Sequence, residues 1–203
     1  MNDHYYSQAP QSAHRFAETD YVYRSVALRF QTDAGVFSRG EVDFGTDTLL
    51  NALPSDMAGR VLDLGCGWGA VGISVGKRYP ACEIVMSDVN RRALELAEKN
   101  AKANGVRARI VESDGCESLE GPFDFIVTNP PIRAGKQVIY KMFADCEKLL
   151  TPSGALYLVI RKQQGAESAL KYLRTIYPAV ETVEKSGGFW VIRCGRADAA
   201  DEK

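Results

Sequence analysis

From residue 60 onward the chain alternates short β-rich runs with helical patterns, an order that calls for a mostly parallel sheet flanked by helices. Arg60 to Leu64 reads as a brief apolar strand, and a helix over about Ala70 to Tyr79 follows, ended by Pro80. Glu83 to Ser87 is a second strand. Asn90 reads as the N-cap of a helix with Ala93, Leu94, Ala97 and Ala101 on one face, and Gly105 stops it. Arg107 to Glu112 and Phe123 to Thr128 are the third and fourth strands, the fourth apolar enough to be central. Val138, Met142, Phe143, Cys146, Leu149 and Leu150 recur at helical spacing, predicting a helix over Gln137 to Leu150. Pro152-Ser153-Gly154 then turns the chain into a fifth strand, Ala155 to Ile160.

After a helix from about Ala166 to Ile176 come two β-like runs, Ala179 to Lys185 and Phe189 to Cys194. Ser186-Gly187-Gly188 between them is too short for a helical crossover, so the sheet ends in a hairpin with an antiparallel strand. Before residue 60, Tyr21 to Phe30 has strand propensity. Gly35 to Ser38 reads as its partner across a Thr32 to Gly35 turn, and Thr46 to Leu53 as a lead-in helix. The expected division is an N-terminal β extension over 1–45, a main domain over 46–195 and a polar tail over 196–203.

Composition narrows the function classes. An apolar fraction of 45% and a charged fraction of 25% are those of an ordinary globular chain. Five cysteines with no CxxC pair argue against a disulfide framework or a zinc ribbon and suit a reducing cytoplasm. The longest apolar run is the six residues Ala155 to Ile160, far below the ~20 that span a bilayer, so no membrane partner is expected. MNDHYYSQAP has no signal-peptide core. A net charge of −1 excludes a generally basic nucleic-acid coat and leaves room for a local patch. His4 and His14 have no ligand partners at useful spacing, so no metal is expected.

Two constellations carry chemistry. In Asp63-Leu64-Gly65-Cys66-Gly67-Trp68-Gly69, three alternating glycines stand at a strand-to-helix junction. There the backbone approaches a ligand closely and a helix N-terminus offers free N–H groups. A tight turn alone needs positive φ at only one or two glycines. Dinucleotide enzymes use a similar junction. Asp63 is a candidate partner for an ammonium group, or a cap for the loop. Asp88 ends the second strand, where Rossmann-like sites put an acid on ribose hydroxyls; a helix cap before Asn90 is the other reading. Asp114, after the third strand, is a candidate acceptor for an adenine amino group or a turn residue.

The second constellation is Asn129-Pro130-Pro131-Ile132 after the fourth strand. Two prolines hold the Pro130 carbonyl in a stiff direction, and Asn129 adds an amide oxygen. Two acceptors aimed at one spot suit an –NH₂ group with two donors, whose lone pair is thereby steered at an electrophile. A plain Asn-Pro-Pro turn is the alternative, although the carboxyl end of a central strand is where α/β sheets bind ligands.

Together VLDLGCGWG, Asp88, Asp114 and NPPI resemble the class I S-adenosylmethionine-dependent methyltransferases over about residues 35–195. The resemblance implies a Rossmann-like seven-stranded sheet ordered 3-2-1-4-5-7-6, with strand 7 antiparallel and helices on both faces. It implies S-adenosyl-L-methionine as cofactor, held by Asp63 and Gly65, Cys66, Gly67 and Gly69 at the methionine end. Asp88 would take the ribose, Asp114 the adenine edge, and Asn129 would lie beside the cofactor. GVFS (35–38), DFG (43–45), NPPI and RKQQGA (161–166) are similar to the RsmC-type small-subunit rRNA guanine-N2 methyltransferases, whose longer members resemble tandem duplicates. The opening His4-Tyr5-Tyr6-Ser7 is similar to stand-alone proteins of that group.

That resemblance implies an enzyme acting on guanine N2 of small-subunit (16S) rRNA, with rRNA or the small ribosomal subunit as partner. Asn129, Pro130 and Pro131 would position the amine. Aliphatic Ile132 replaces the aromatic that usually follows NPP in adenine-N6 and glutamine enzymes, and Phe37 is then the candidate to stack on a flipped guanine, or a residue that packs the hairpin onto the sheet. Arg133 and Lys136, with Lys141 beyond, and Arg161 with Lys162, are candidate phosphate contacts opening on one sheet edge, or the charges of ordinary solvated loops. Trp68 is expected beside the cofactor. The alternatives are a glutamine N5-methyltransferase acting on a translation factor, and a non-catalytic cofactor-binding ribosome-assembly factor. A dinucleotide oxidoreductase leaves Asp63, Asp114 and NPP unexplained.

Overall fold

The computed structural model describes residues 13–36, 38 and 40–196. Its centre is a seven-stranded sheet built from β3 (Gly59–Leu64), β4 (Cys82–Asp88), β5 (Ala108–Glu112), β6 (Phe123–Thr128), β7 (Leu150–Arg161), β8 (Ala179–Ser186) and β9 (Phe189–Gly195). The spatial order is β5-β4-β3-β6-β7-β9-β8, which is 3-2-1-4-5-7-6 when the strands of this sheet are numbered alone. β3 to β7 pair in parallel, and β9 runs antiparallel to both β7 and β8.

Alternate residues of the central strands point to opposite faces, as the pleat requires. Val61, Val127, Tyr157, Val159 and Val191 enter one core with α1 (Phe44–Ala52), α2 (Ala70–Arg78) and α3 (Arg91–Ala103). Leu62, Ile126, Leu156, Leu158 and Ile192 enter the other, against α4 (Lys136–Lys148) and α5 (Ala166–Leu173). The near-continuous apolar runs of β6 and β7 reflect burial on both sides. Asn90 caps α3, its side chain accepting from the N–H groups of Arg92 and Ala93.

Three elements differ from their sequence expectation. The N-terminal hairpin pairs β1 (Ala17–Tyr23) with β2 (Val26–Thr32) and turns at Arg24-Ser25, not over Thr32 to Gly35. Both turn residues have positive φ, 45° and 69°, the backbone of a two-residue I′-type turn without its usual Asn or Gly. The Arg24 guanidinium offsets that conformation. It donates to the carbonyls of Asn51, Leu53 and Pro54, where α1 leaves acceptors unpaired, and to the Tyr79 hydroxyl. Gly35 and Val36 lie outside any strand, and Phe37 lies outside the described residues. On α4 the buried residue is Ile139, while Val138 is 52% exposed. β7 begins at Leu150 and passes through Pro152, because β9 pairs with β7 only from Ala155 on and the proline's missing N–H breaks no ladder.

The hairpin is fastened to α3 by two asparagines. The Asn100 amide accepts from the Gln31 N–H at 2.7 Å and donates to the carbonyls of Gln31 and Trp68, both at 2.9 Å. One turn on, Asn104 does the same for Arg29, accepting at 3.1 Å and donating at 2.8 Å. The two amides act as a surrogate strand along β2 and satisfy backbone groups that a sheet edge leaves open. Asn100→Ala strips three of these contacts and is expected to lower the unfolding free energy by about 1–3 kcal/mol, read from urea titration.

Candidate active site

The order of the sheet reverses at β3, whose neighbours are β4 and β6, and the crevice above its carboxyl end holds both constellations. The loop leaving β3 is anchored first by backbone: the N–H groups of Gly65 and Cys66 both donate to the Ser87 carbonyl at 2.8 Å. Two carboxylates then clamp it. Asp88 accepts from the Gly67 N–H and from the Asn90 N–H, each at 2.9 Å, and Asp63 accepts from the Gly72 N–H at 2.8 Å. Gly65, Gly67 and Gly69 have φ of 73°, 55° and 91°, a region that disfavours side chains. A Cβ at Gly65 or Gly67 would meet nothing within 4 Å, so the loop is open above.

Gly72 belongs to this constellation although the alternating spacing ends at Gly69. A Cβ there would lie 2.7 Å from Met86 Cγ and 3.2 Å from Asp63 Cβ. Only a glycine lets the first turn of α2 come close enough for its N–H to reach Asp63. The loop's Trp68 does not line the crevice; its ring packs on Phe30 of the hairpin at 4.9 Å and is buried. An indole at that position has more apolar surface to cover in the core beneath than in the crevice.

Burial raises the Asp63 carboxyl to about 7, against the pull of the Gly72 N–H and with help from the Asp88 charge. Burial also raises Asp88, against the N–H groups of Asn90, Gly67 and Val89, and it pushes the Cys66 thiol well up. A buried acid and a half-buried one that both resist ionisation favour a cationic ligand, which would lower the cost of their charge. Asp114 stands exposed just past β5, one residue beyond Ser113, whose N–H pairs with the Asp88 carbonyl.

The second constellation is tied to the first by the Thr128 hydroxyl, which donates to the Leu64 carbonyl at 2.8 Å. Asn129 follows, half-buried, and its side-chain NH₂ donates to Thr46 Oγ1 at 3.0 Å. Thr46 in turn donates to Asp43 Oδ2 at 2.6 Å. Asp43 is the N-cap of α1, its Oδ1 accepting from the N–H groups of Gly45 and Thr46. A hydroxyl has one proton and a carboxylate only accepts, so Thr46 must receive from Asn129. The amide therefore turns its NH₂ towards Thr46 and its oxygen away, and among the described residues no donor reaches that oxygen. Asp43 and Thr46 were not singled out as site residues by sequence.

Pro130 is buried and Pro131 half-buried, leading into a single 3-10 turn over Ile132–Ala134. Ile132 packs against the α4 and α5 core. Arg133 is exposed. Lys136 opens α4 with its ammonium 5.1 Å from the Tyr140 ring centre. Lys141 lies on α4, exposed, with its ammonium 3.1 Å from Asp145. Arg161 sits over the Phe189 ring at 5.4 Å, and Lys162 is 3.8 Å from Glu167.

With this geometry in place, comparison with known proteins decides the family: the methyltransferase small domain matches residues 27–193. The chain belongs to the methyltransferase small domain family. The uncharacterized protein YbxB of Bacillus subtilis is 38% identical over 197 residues, covering 95% of this chain and 98% of that one. The ribosomal RNA small subunit methyltransferase C of Hahella chejuensis is 40% identical over 139 residues, 66% of this chain and 41% of the relative. That of Vibrio vulnificus is 36% identical over 176 residues, 83% of this chain and 50% of the relative. Among solved structures, the Thermus thermophilus 16S rRNA N2 G1207 methyltransferase (RsmC), in complex with AdoMet and guanosine, superposes with a TM-score of 0.81. It shares 26% identity and covers 93% of this chain and 52% of that one. The chain thus spans about half the length of these RsmC relatives and nearly all of YbxB.

The raised Asp63 carboxyl has a consequence for the ligand-free protein. Between its ordinary value near 3.8 and about 7 the folded state holds a proton that the unfolded chain has released. Its contribution to stability therefore declines as pH rises through that window and is flat above it. The stability of the wild type relative to Asp63→Asn is expected to fall from pH 4 to 7.5 in paired denaturant titrations. A constant difference would mean that the carboxyl titrates normally.

Proposed function

We propose that this chain transfers a methyl group from S-adenosylmethionine to the exocyclic N2 of a guanine in small-subunit rRNA. The observation that carries the reading is the fixed amide of Asn129, whose oxygen has no donor among the described residues and which stands next to Pro130 in the chain. An amine with two N–H groups satisfies both acceptors at once, and its lone pair is then directed out of their plane. The residues fit the cofactor: a glycine cradle with open space above Gly65 and Gly67, and two acids, one buried and one half-buried, that resist ionisation. Asp63 would hold the methionine ammonium, with Gly65, Cys66, Gly67 and Gly69 around it, Asp88 the ribose hydroxyls and Asp114 the adenine edge.

When bound, the cofactor supplies an electrophilic methyl on a sulfonium, so the protein needs to orient rather than to activate. Asn129 and Pro130 hold the amine, Pro131 stiffens the turn, and solvent takes the proton that the alkylated amine sheds. Support for RNA comes from the RsmC relatives and from exposed Arg133, Lys136, Arg161 and Lys162. The reading carries with it a cytoplasmic location and the small subunit as partner. Among the described residues no helix is long and apolar enough to cross a membrane.

The test is incubation with methyl-labelled S-adenosylmethionine and ribosomal subunits from cells lacking the gene. Label released by nuclease as N2-methylguanosine is expected. Another methylated nucleoside would sink the guanine assignment, and protease-sensitive label would move the substrate to protein. In the same assay Thr46→Val frees the Asn129 amide to rotate and is expected to lower kcat about 5- to 30-fold with KM for RNA nearly unchanged. Thr46→Ser restores the rate, which a purely packing role for Thr46 does not predict.

A further inference from the structure

We infer that Phe44, Phe189 and Arg161 form a stacking platform for an unpaired nucleotide adjoining the methylated base, a proposal that rests on the RNA reading above. The three residues continue the site by direct contact. From Asn129 the hydrogen bonds run to Thr46 and Asp43, and Phe44 is the next residue of the chain. Its ring meets Phe189 at 5.9 Å with a 49° tilt, and the Arg161 guanidinium lies 5.4 Å from the centre of that second ring. All lie at the carboxyl end of the sheet on the α1 face: Arg161 closes β7 opposite Phe189, which opens β9.

Two glycines clear space for the aromatic pair. A Cβ at Gly45 would come within 2.8 Å of Phe189 Cε1, and one at Gly187 within 2.4 Å of Phe44 Cε1. The rings are thus seated closely, yet Phe44 remains 53% exposed at the first position of α1. A ring that only docked the helix would bury its face. Arg161 is exposed and has no carboxylate partner among the described residues, so its charge is available to a phosphate. An open aromatic face beside an unpaired guanidinium matches one base and its phosphate, the combination by which proteins hold single strands. No sequence readout is implied, because every base offers a π face.

The experiment uses the full chain and a single-stranded oligoribonucleotide carrying 2-aminopurine, whose fluorescence is quenched on stacking. Binding by the wild type is expected to quench the probe. Phe44→Leu is expected to weaken binding about 5- to 100-fold and abolish the quench, while Phe44→Trp retains both. Arg161→Gln is expected to weaken binding and to reduce the slope of log affinity against log salt by about one, leaving the quench. Wild-type binding without quenching, or no binding, overturns the platform. So does equal binding by Phe44→Leu and wild type, and so does equal loss in the Leu and Trp variants, which marks a packing role. Methylation of subunits is scored separately. A wild type that quenches the probe and labels no RNA removes the rRNA assignment and leaves the platform, and labelling unaffected by any platform variant with no quench does the reverse.

Discussion

Two acids at the carboxyl ends of adjacent strands, Asp63 buried and Asp88 half-buried, hold the rest of the site in place. Asp63 lies one residue before the end of β3 and Asp88 ends β4, and their partners are backbone N–H groups of the glycine loop, the first turn of α2 and the turn before α3. Those bonds fix where α2 begins, how the loop crosses from β3 to α2, and how closely α2 packs on Met86. They do not fully replace hydration, and burial leaves both carboxyls above their ordinary range. The loop is therefore rigid in shape and unsatisfied in charge. A cation delivered above it relieves the second condition without disturbing the first.

Across the switch point the logic changes from charge to proton inventory. The Asp43 carboxylate has no proton to give and the Thr46 hydroxyl has one, so the Asn129 amide is left a single orientation. That constraint reaches Asn129 from α1, which precedes the sheet in the chain, and it works only because α1 is held at both ends. Asp43 caps its start, and Arg24 of the hairpin turn closes on the carbonyls beyond its finish. Arg24 and Asp43 thus hold the two ends of the helix that carries Thr46.

Much of the sheet was legible because its determinants are local. Short β-rich runs, breaker residues between them and the Gly187-Gly188 hairpin dictate strands, crossovers and the antiparallel end. The acids at strand ends and the Asn-Pro-Pro turn were legible for the same reason: each is a residue type at a junction. What escaped were pairings set by tertiary approach. Thr46 and Asn129 are 83 positions apart, and neither carries a mark of the other. Phe44 and Phe189 are ordinary apolar residues until two glycines bring them together. The turn at Arg24-Ser25 lacks turn chemistry because its stabilisation comes from carbonyls at the end of α1 and just beyond it. Pro152 reads as a stop, and it is harmless where only one neighbour strand pairs.

The fate of Trp68 joins these pieces. Its position inside the glycine segment argues for a place beside the ligand, yet the ring is turned below the loop onto Phe30, and its carbonyl accepts from Asn100. Asn100 simultaneously carries the backbone of Gln31 in β2. One buried amide therefore connects the hairpin, α3 and the underside of the loop, and one indole fills the space between them. The loop can stay open above Gly65 and Gly67 because it is braced from beneath. A hairpin distant in sequence from Asp63 and Asp88 is in this way part of what holds the glycine loop in shape. Loosening it should soften the ligand side of the crevice before it disturbs the sheet, since the β3 to β4 ladder does not depend on it.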